Sequence, residues 1–207
     1  QAFDAGELEP TTSFTQPIGM SGSFDTELIH ECGRVTGEEA RALYKRNNGG
    51  SLCRWAPTID MERDPRWGRT EEAYGEDPCL TGKMASAYIQ GMKGDDPFYI
   101  RCAATLKHFY ANNVEKDRVS VSSSIDERNK HEYYLEPFRK AITEGGAEAV
   151  MTSYNEINGV PAVVNHEVQD LLKDEWKLPG HVVCDGGDFQ QTVQFHHYFA
   201  THAESLA

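Results

Sequence analysis

From about Arg34 onward the chain alternates short apolar runs with stretches whose hydrophobic positions recur every three or four residues. The first helical stretch, 36–46, opens with Thr36 and Glu39 at the spacing of a capping box. Residues 52–59 are apolar enough for a strand, with Pro57 near its end. Asp77 and Pro78 then supply an N-cap and a first-turn proline, predicting a helix that runs to about Gly94. A second strand is predicted over 100–106. Ser124 and Glu127 open a long amphipathic helix that stops at Gly145-Gly146. The third strand is 147–152, after which Asn165 caps a helix ending near Lys177. The fourth is 182–184, followed by a helical pattern over 189–206.

Four strands, each followed by a helix, predict an α/β fold with a parallel sheet and right-handed crossovers. The unusual polar residues sort to one place in that scheme. Arg69 falls in the loop after the first strand, Lys107-His108 ends the second, Ser153-Tyr154-Asn155 ends the third and Asp185 ends the fourth. In an open α/β sheet or a (β/α)8 barrel, the carboxyl ends of the strands form the face where ligands bind. Asp185 is followed by Gly186, Gly187 and Asp188. A turn former followed by two glycines is one account of that run. A carboxylate at the mouth of a pocket is the other, and the sorting favours it.

Composition narrows the function. A formal charge of −13 speaks against binding a phosphate backbone and against adhesion to anionic membranes. No apolar run approaches the length of a membrane span. Nucleic acid and membrane are therefore not expected partners. The 5 cysteines are odd in number and widely spaced, which predicts reduced thiols. His196, His197 and His202 have no metal-ligand spacing and are assigned to a helical face. No metal or organic cofactor is implied. The chain starts at Gln1, so it does not report on a signal peptide, and a cytoplasmic location is the default expectation.

Four blocks carry a family likeness. "APTIDMERDPRWGRTEEAYGEDP", "LKHFYANNVEKDR", "AVMTSYNEINGVPA" and "VVCDGGD" occur in this order, after an upstream "TTSFTQPIGMSGSFDTELI". Together they resemble the signature blocks of glycoside hydrolase family 3. That resemblance implies a (β/α)8-like barrel, followed by a separate α/β domain. It places Asp185 at the nucleophile position, and Arg69, Lys107, His108, Arg118, Met151 and Tyr154 at positions that grip a terminal sugar. These roles are chemically apt, since Lys and Arg give ionic hydrogen bonds to hydroxyls and keep a nearby carboxylate ionised. The implied activity is that of a retaining, exo-acting β-glycosidase on a β-linked glycoside or oligosaccharide, with β-glucosidase first and β-xylosidase or arabinosidase as the alternative. A carbohydrate-binding piece without catalysis is the reading from another class. The hexosaminidase branch is disfavoured, because Tyr110-Ala111-Asn112 stands where that branch continues into Pro-Gly-His.

The chain departs from the pattern in three ways. Gly186 stands where the family often has Trp, an upstream Asp-Gly-Pro block has no counterpart before Phe14, and only about four βα units are present. Residues 1–207 are accordingly expected to form an incomplete catalytic barrel domain. The rest of the same polypeptide, with its C-terminal domain, is expected to supply the acid/base, and this piece alone is expected to be inactive. Asp60, Asp64, Glu71 and Glu72 are assigned to bracing the arginines of their loop, and Asp188 to capping the helix after it.

Overall fold

The computed structural model describes residues 11–207; the first ten residues of the predicted domain, and with them most of the stretch before Phe14, lie outside the described residues. The strands are β1 (Cys53–Arg54), β2 (Ala103–Phe109), β3 (Ser122–Ser123), β4 (Ala149–Thr152), β5 (Glu156–Ile157), β6 (Val160–Pro161) and β7 (Val182–Val183). The α-helices are α1 (Pro17–Ser21), α2 (Thr26–Arg46), α3 (Pro78–Lys93), α4 (Glu127–Asn129), α5 (Glu136–Thr143), α6 (Asp188–Gln194) and α7 (His202–Ser205). Two further helical segments, Lys130–Tyr134 and Val168–Glu175, are wound as π-helix. The main sheet has the order β1-β2-β4-β7, and every pairing in it is parallel, as predicted.

Along β2 and β4, Ala104, Leu106 and Val150 join the hydrophobic cluster built by α3 and α5, whereas Thr105, Lys107 and Met151 alternate to the other face. Phe109 closes that cluster edge-on to Phe138 and Trp176, at 5.2 and 6.4 Å between ring centroids. Fully burying side chains such as Leu106, Met84 and Phe138 contributes about 1.5–3 kcal/mol each. α2 lies tightly on α3 because glycines meet at the crossing. A Cβ on Gly33 would collide with the Tyr88 carbonyl, and one on Gly91 with the His30 carbonyl.

One irregularity shapes the ligand face. Leu106 of β2 lies opposite Val150 and Phe109 opposite Thr152, so β2 has one residue more than β4 over that interval. Strict alternation would send Lys107 and His108 to opposite faces. The bulge lets both leave the helix-packed side and returns Phe109 to the core.

Several predicted boundaries move. α2 begins ten residues before Thr36, where the Asp25 side chain accepts from the Glu27 and Leu28 amides at 3.0 Å. Thr36 is mid-helix and its hydroxyl donates to the Cys32 carbonyl, while Glu39 accepts from Thr12, so the two do not form a capping box. The strand expected over 52–59 is reduced to β1 and a bridge between Thr58 and Lys107, interrupted at Pro57, which has no N–H to give. Asp126 rather than Ser124 caps α4, accepting from the Asn129 amide at 3.0 Å. The hairpin of β5 and β6 has no counterpart in the predicted elements. Its turn is Asn158-Gly159, both at positive φ, as tight two-residue hairpins require. The helix expected over 189–206 divides into α6 and α7, the latter with a capping box of Thr201 and Glu204.

Candidate active site

At the carboxyl end of β2, His108 is buried between two carboxylates. Its Nδ1 lies 2.8 Å from Asp60 Oδ2, and its backbone N–H donates to Asp60 Oδ1 at 3.2 Å. Its Nε2 faces Arg69 Nη1 at 3.2 Å and Asp185 Oδ2 at 3.7 Å. With Nδ1 donating to Asp60, Nε2 of a neutral ring is left as an acceptor for the guanidinium. Arg69 also grips Glu72 with two parallel bonds, Nε to Oε1 and Nη2 to Oε2, both 2.9 Å. Lys107 Nζ stands 3.7 Å from the same Oε2, and the Thr58 hydroxyl donates to it at 3.3 Å. Burial would raise the Glu72 carboxyl, but the Arg69 bonds and charge, with Lys107 and Thr58, bring it down to about 2. A cavity of about 750 Å³ borders the Arg69, Glu72 and Lys107 side of this cluster, with Trp55 and Tyr88 also in its wall, and neither His108 nor Asp185 lines it.

Asp185 leaves β7 with its side chain 17% exposed. The Gly186 amide donates to its Oδ1 at 2.7 Å. Of the two glycines, only Gly187 is demanded by the backbone, at φ +83°. At Gly186 a Cβ would meet the Tyr154 hydroxyl at an ordinary 3.5 Å, so the position tolerates a side chain and its lack leaves space above the turn. Tyr154 donates its hydroxyl to the Gly186 carbonyl at 3.1 Å. Burial, and after it the Asp185 charge, push that phenol up to about 12, which keeps it a proton-bearing donor at neutral pH. The Arg118 guanidinium covers the Tyr154 ring at 4.8 Å while its Nη1 bonds Glu115 at 3.1 Å.

Thus Arg69, Lys107, His108 and Asp185 converge directly, and Tyr154 and Arg118 border the same turn. Met151 is 1% exposed in β4, opposite Val183 of β7, and its side chain makes no polar contact among the described residues. The competing arginines resolve clearly. Arg66 is exposed on Asp64, and Arg63 donates to the Tyr134 hydroxyl at 2.7 Å. Asp188 does not cap α6. Its side chain turns back to the Asp185 amide and the Thr152 hydroxyl, because those donors lie in the interior where a carboxyl must find partners. His196 is likewise not merely a helical face residue. Its Nε2 lies 2.8 Å from the Tyr154 carbonyl and its Nδ1 is 3.3 Å from Glu156, pinning the loop that carries Tyr154. No local pattern marks either role in the sequence, since each rests on at least one partner distant along the chain, Thr152 for Asp188 and Tyr154 for His196.

Comparison with known proteins gives the family and the fold. Residues 5–206 match the profile of the glycosyl hydrolase family 3 N-terminal domain. Among curated relatives, beta-D-xylosidase 3 of Arabidopsis thaliana is 32% identical over 210 residues, and a probable exo-1,4-beta-xylosidase of Aspergillus clavatus is 37% identical over 213. These alignments cover 98% and 99% of this chain but only 27% and 28% of the relatives, so the chain spans about a quarter of their length. A solved family 3 exo-beta-xylosidase, in complex with a xylobiose aziridine probe, superposes with a TM-score of 0.91 at 31% identity, covering 98% of this chain and 27% of that one. Beta-glucosidase 3B of Thermotoga neapolitana, in complex with glucose, gives 0.77 at 30% identity over 92% of this chain and 26% of that one.

Proposed function

The chain belongs to glycoside hydrolase family 3, and from that premise we propose that it is the nucleophile-bearing part of a retaining, exo-acting β-glycosidase. Its parallel sheet with helices on one face is then a partial (β/α)8 barrel, like the barrels of its solved relatives. The observation that carries the reading is Asp185, a partly open carboxylate at a strand's carboxyl end, facing at 3.7 Å the same His108 nitrogen that Arg69 meets at 3.2 Å. Asp185 Oδ2 attacks the anomeric carbon, the bond to the leaving oxygen breaks, and water later hydrolyses the glycosyl ester at the same carbon. Arg69, Lys107 and Arg118 supply donors to ring hydroxyls, His108 borders the same sugar between Arg69 and Asp185, and Tyr154 holds the turn beneath the reacting centre. The acid/base and the closure of the barrel come from polypeptide outside these residues. The sequence blocks alone favour glucose. The curated relatives and the closer superposition on the xylosidase shift our preference to a terminal β-xylosyl unit, with β-glucosyl as the second substrate.

The test is covalent trapping in the full-length protein. A fluorinated aryl β-xyloside should inactivate it and leave a glycosyl adduct on Asp185, located by peptide mass spectrometry. Asp185→Ala should lose nearly all turnover of aryl xylosides and glucosides while keeping its fold. An adduct elsewhere, or an alanine variant that retains most of the rate, would refute the assignment. The ratio of kcat/KM for xyloside and glucoside decides the sugar.

A further inference from the structure

We propose that Asp188 is the positioning residue of the nucleophile turn: its buried carboxyl clamps the backbone of Asp185 to the end of β4 and so fixes where the attacking oxygens point. This rests on Asp185 being the nucleophile.

Asp188 is 2% exposed, yet it is an acid. Its Oδ2 accepts two hydrogen bonds, from the Asp185 backbone N–H at 3.0 Å and from the Thr152 hydroxyl at 2.9 Å. Thr152 is the last residue of β4, and Asp185 leaves the neighbouring β7. One carboxyl oxygen therefore ties together the carboxyl ends of two adjacent strands at the point where the nucleophile departs. The backbone returns the bond, with the Asp188 N–H donating to the Asp185 carbonyl at 3.2 Å. The four-residue turn is closed from both sides.

This placement differs from the usual one for an acid at a helix start. Such a side chain ordinarily turns toward the free N–H groups of the first helical turn. Asp188 opens α6 and forgoes them. Its other oxygen, Oδ1, is buried without a hydrogen-bond partner among the described residues. A buried, half-satisfied carboxyl is a poor way to stabilise a fold, since an apolar residue or an amide would cost less. What the carboxyl secures is the aim of Asp185. With the turn held, the Gly186 amide meets Asp185 Oδ1 at 2.7 Å and Oδ2 is left facing His108. Rotation of the turn would move both oxygens together.

The charge state suits the task. Burial, reinforced by the Asp185 charge, pushes Asp188 up to about 7 against the pull of its two hydrogen bonds. Near neutrality it is uncharged for much of the time and adds little repulsion to the nucleophile beside it.

The experiment compares Asp188→Asn, Asp188→Ala and Thr152→Val in the full-length protein, using aryl β-xyloside and β-glucoside kinetics with thermal melting as a check of folding. Asparagine keeps one acceptor oxygen for both donors, so its kcat should stay within about threefold of the parent, whereas alanine should lower kcat on the order of 100-fold with KM nearly unchanged. Thr152→Val, which removes one of the two donors, should fall between them. A purely structural role would move the melting temperature and leave kcat alone. The proposal is overturned if folded Asp188→Ala keeps kcat within about threefold of the parent, or if asparagine is as impaired as alanine. Should the alanine variant fail to fold, asparagine and Thr152→Val decide: an impaired asparagine variant, or an unimpaired valine variant, overturns it. Trapping of the parent enzyme separates the two levels. A fluorinated glycoside that labels a residue other than Asp185 removes the premise, while a label on Asp185 with indifferent Asp188 variants removes this inference alone.

Discussion

Replacing Glu72 by Gln should uncouple the cationic side of the site. The Glu72 carboxyl lies at about 2 rather than its ordinary 4.5, which corresponds to about 3 kcal/mol of preference for the charged form in the fold. Its side chain is 37% exposed, so solvent screening reduces this to about 1–2 kcal/mol. A folded-state value below the unfolded one gives stability that is complete above about 4.5 and is lost as pH falls toward 2. Glu72→Gln should therefore melt about 2–6 °C below the parent at pH 7, and the gap should close as the pH is lowered through that window. Arg69 loses one of its two parallel acceptors in the same variant, and Lys107 loses its counter-charge at 3.7 Å. Both keep their charge but lose their aim, so KM for the aryl glycoside should rise more than kcat falls. Differential scanning fluorimetry across pH 2.5–7, paired with steady-state kinetics, makes the measurement. A melting difference that does not change with pH would refute the electrostatic account. An unchanged KM would refute the claim that Glu72 orients sugar-binding cations.

Two further outcomes follow from the same geometry. Lys107→Met should lower kcat/KM by about 100-fold or more through the lost hydroxyl partner, with a melting temperature close to the parent's; a parent enzyme that cleaves the matching deoxy-sugar equally well would contradict it. Gly91→Ala should destabilise by about 1–3 kcal/mol, because the new methyl enters the His30 carbonyl at the crossing of α2 and α3, and chemical denaturation reads this directly, an unchanged midpoint being the contrary result.

The order and parallel pairing of the sheet were legible because short apolar runs alternate with helical periodicity, most plainly at the fully buried β4, whereas the half-buried β1 kept only two residues of its predicted run. The sorting of Arg69, Lys107, His108, Tyr154 and Asp185 to strand ends was visible for the same reason. What escaped was decided by contacts distant in sequence. Thr36 and Glu39 have the spacing of a capping box, but the glycine crossing of α2 on α3 extends the helix past them. The bulge that brings Lys107 and His108 to one side is written in the pairing of β2 with β4, which no single strand reveals. Asp188 sits three residues after Asp185 at the head of a helix, where local rules point to a cap; its true donors include Thr152, 36 residues away.

The carboxyls of the site, taken together, bear on where its proton donor lies. A retaining glycosidase needs one carboxylate to attack and one carboxylic acid, about 5–5.5 Å away, to protonate the leaving oxygen. Asp60 is buried against His108 and presents its oxygens to that ring and backbone, not to solvent. Glu72 is held ionised by Arg69 and Lys107, so it carries no proton to give near neutrality. Asp188 has the raised value an acid would want, but its oxygens are enclosed behind the turn, with no path to a substrate. Asp60 and Asp188 are enclosed and Glu72, though partly exposed, is engaged by two cations, whereas Asp185 is partly open and has one carboxylate oxygen, Oδ2, facing His108. On the proposed reading, this division of labour leaves the attack to Asp185 and requires the acid to approach from the opposite, open side of the sugar.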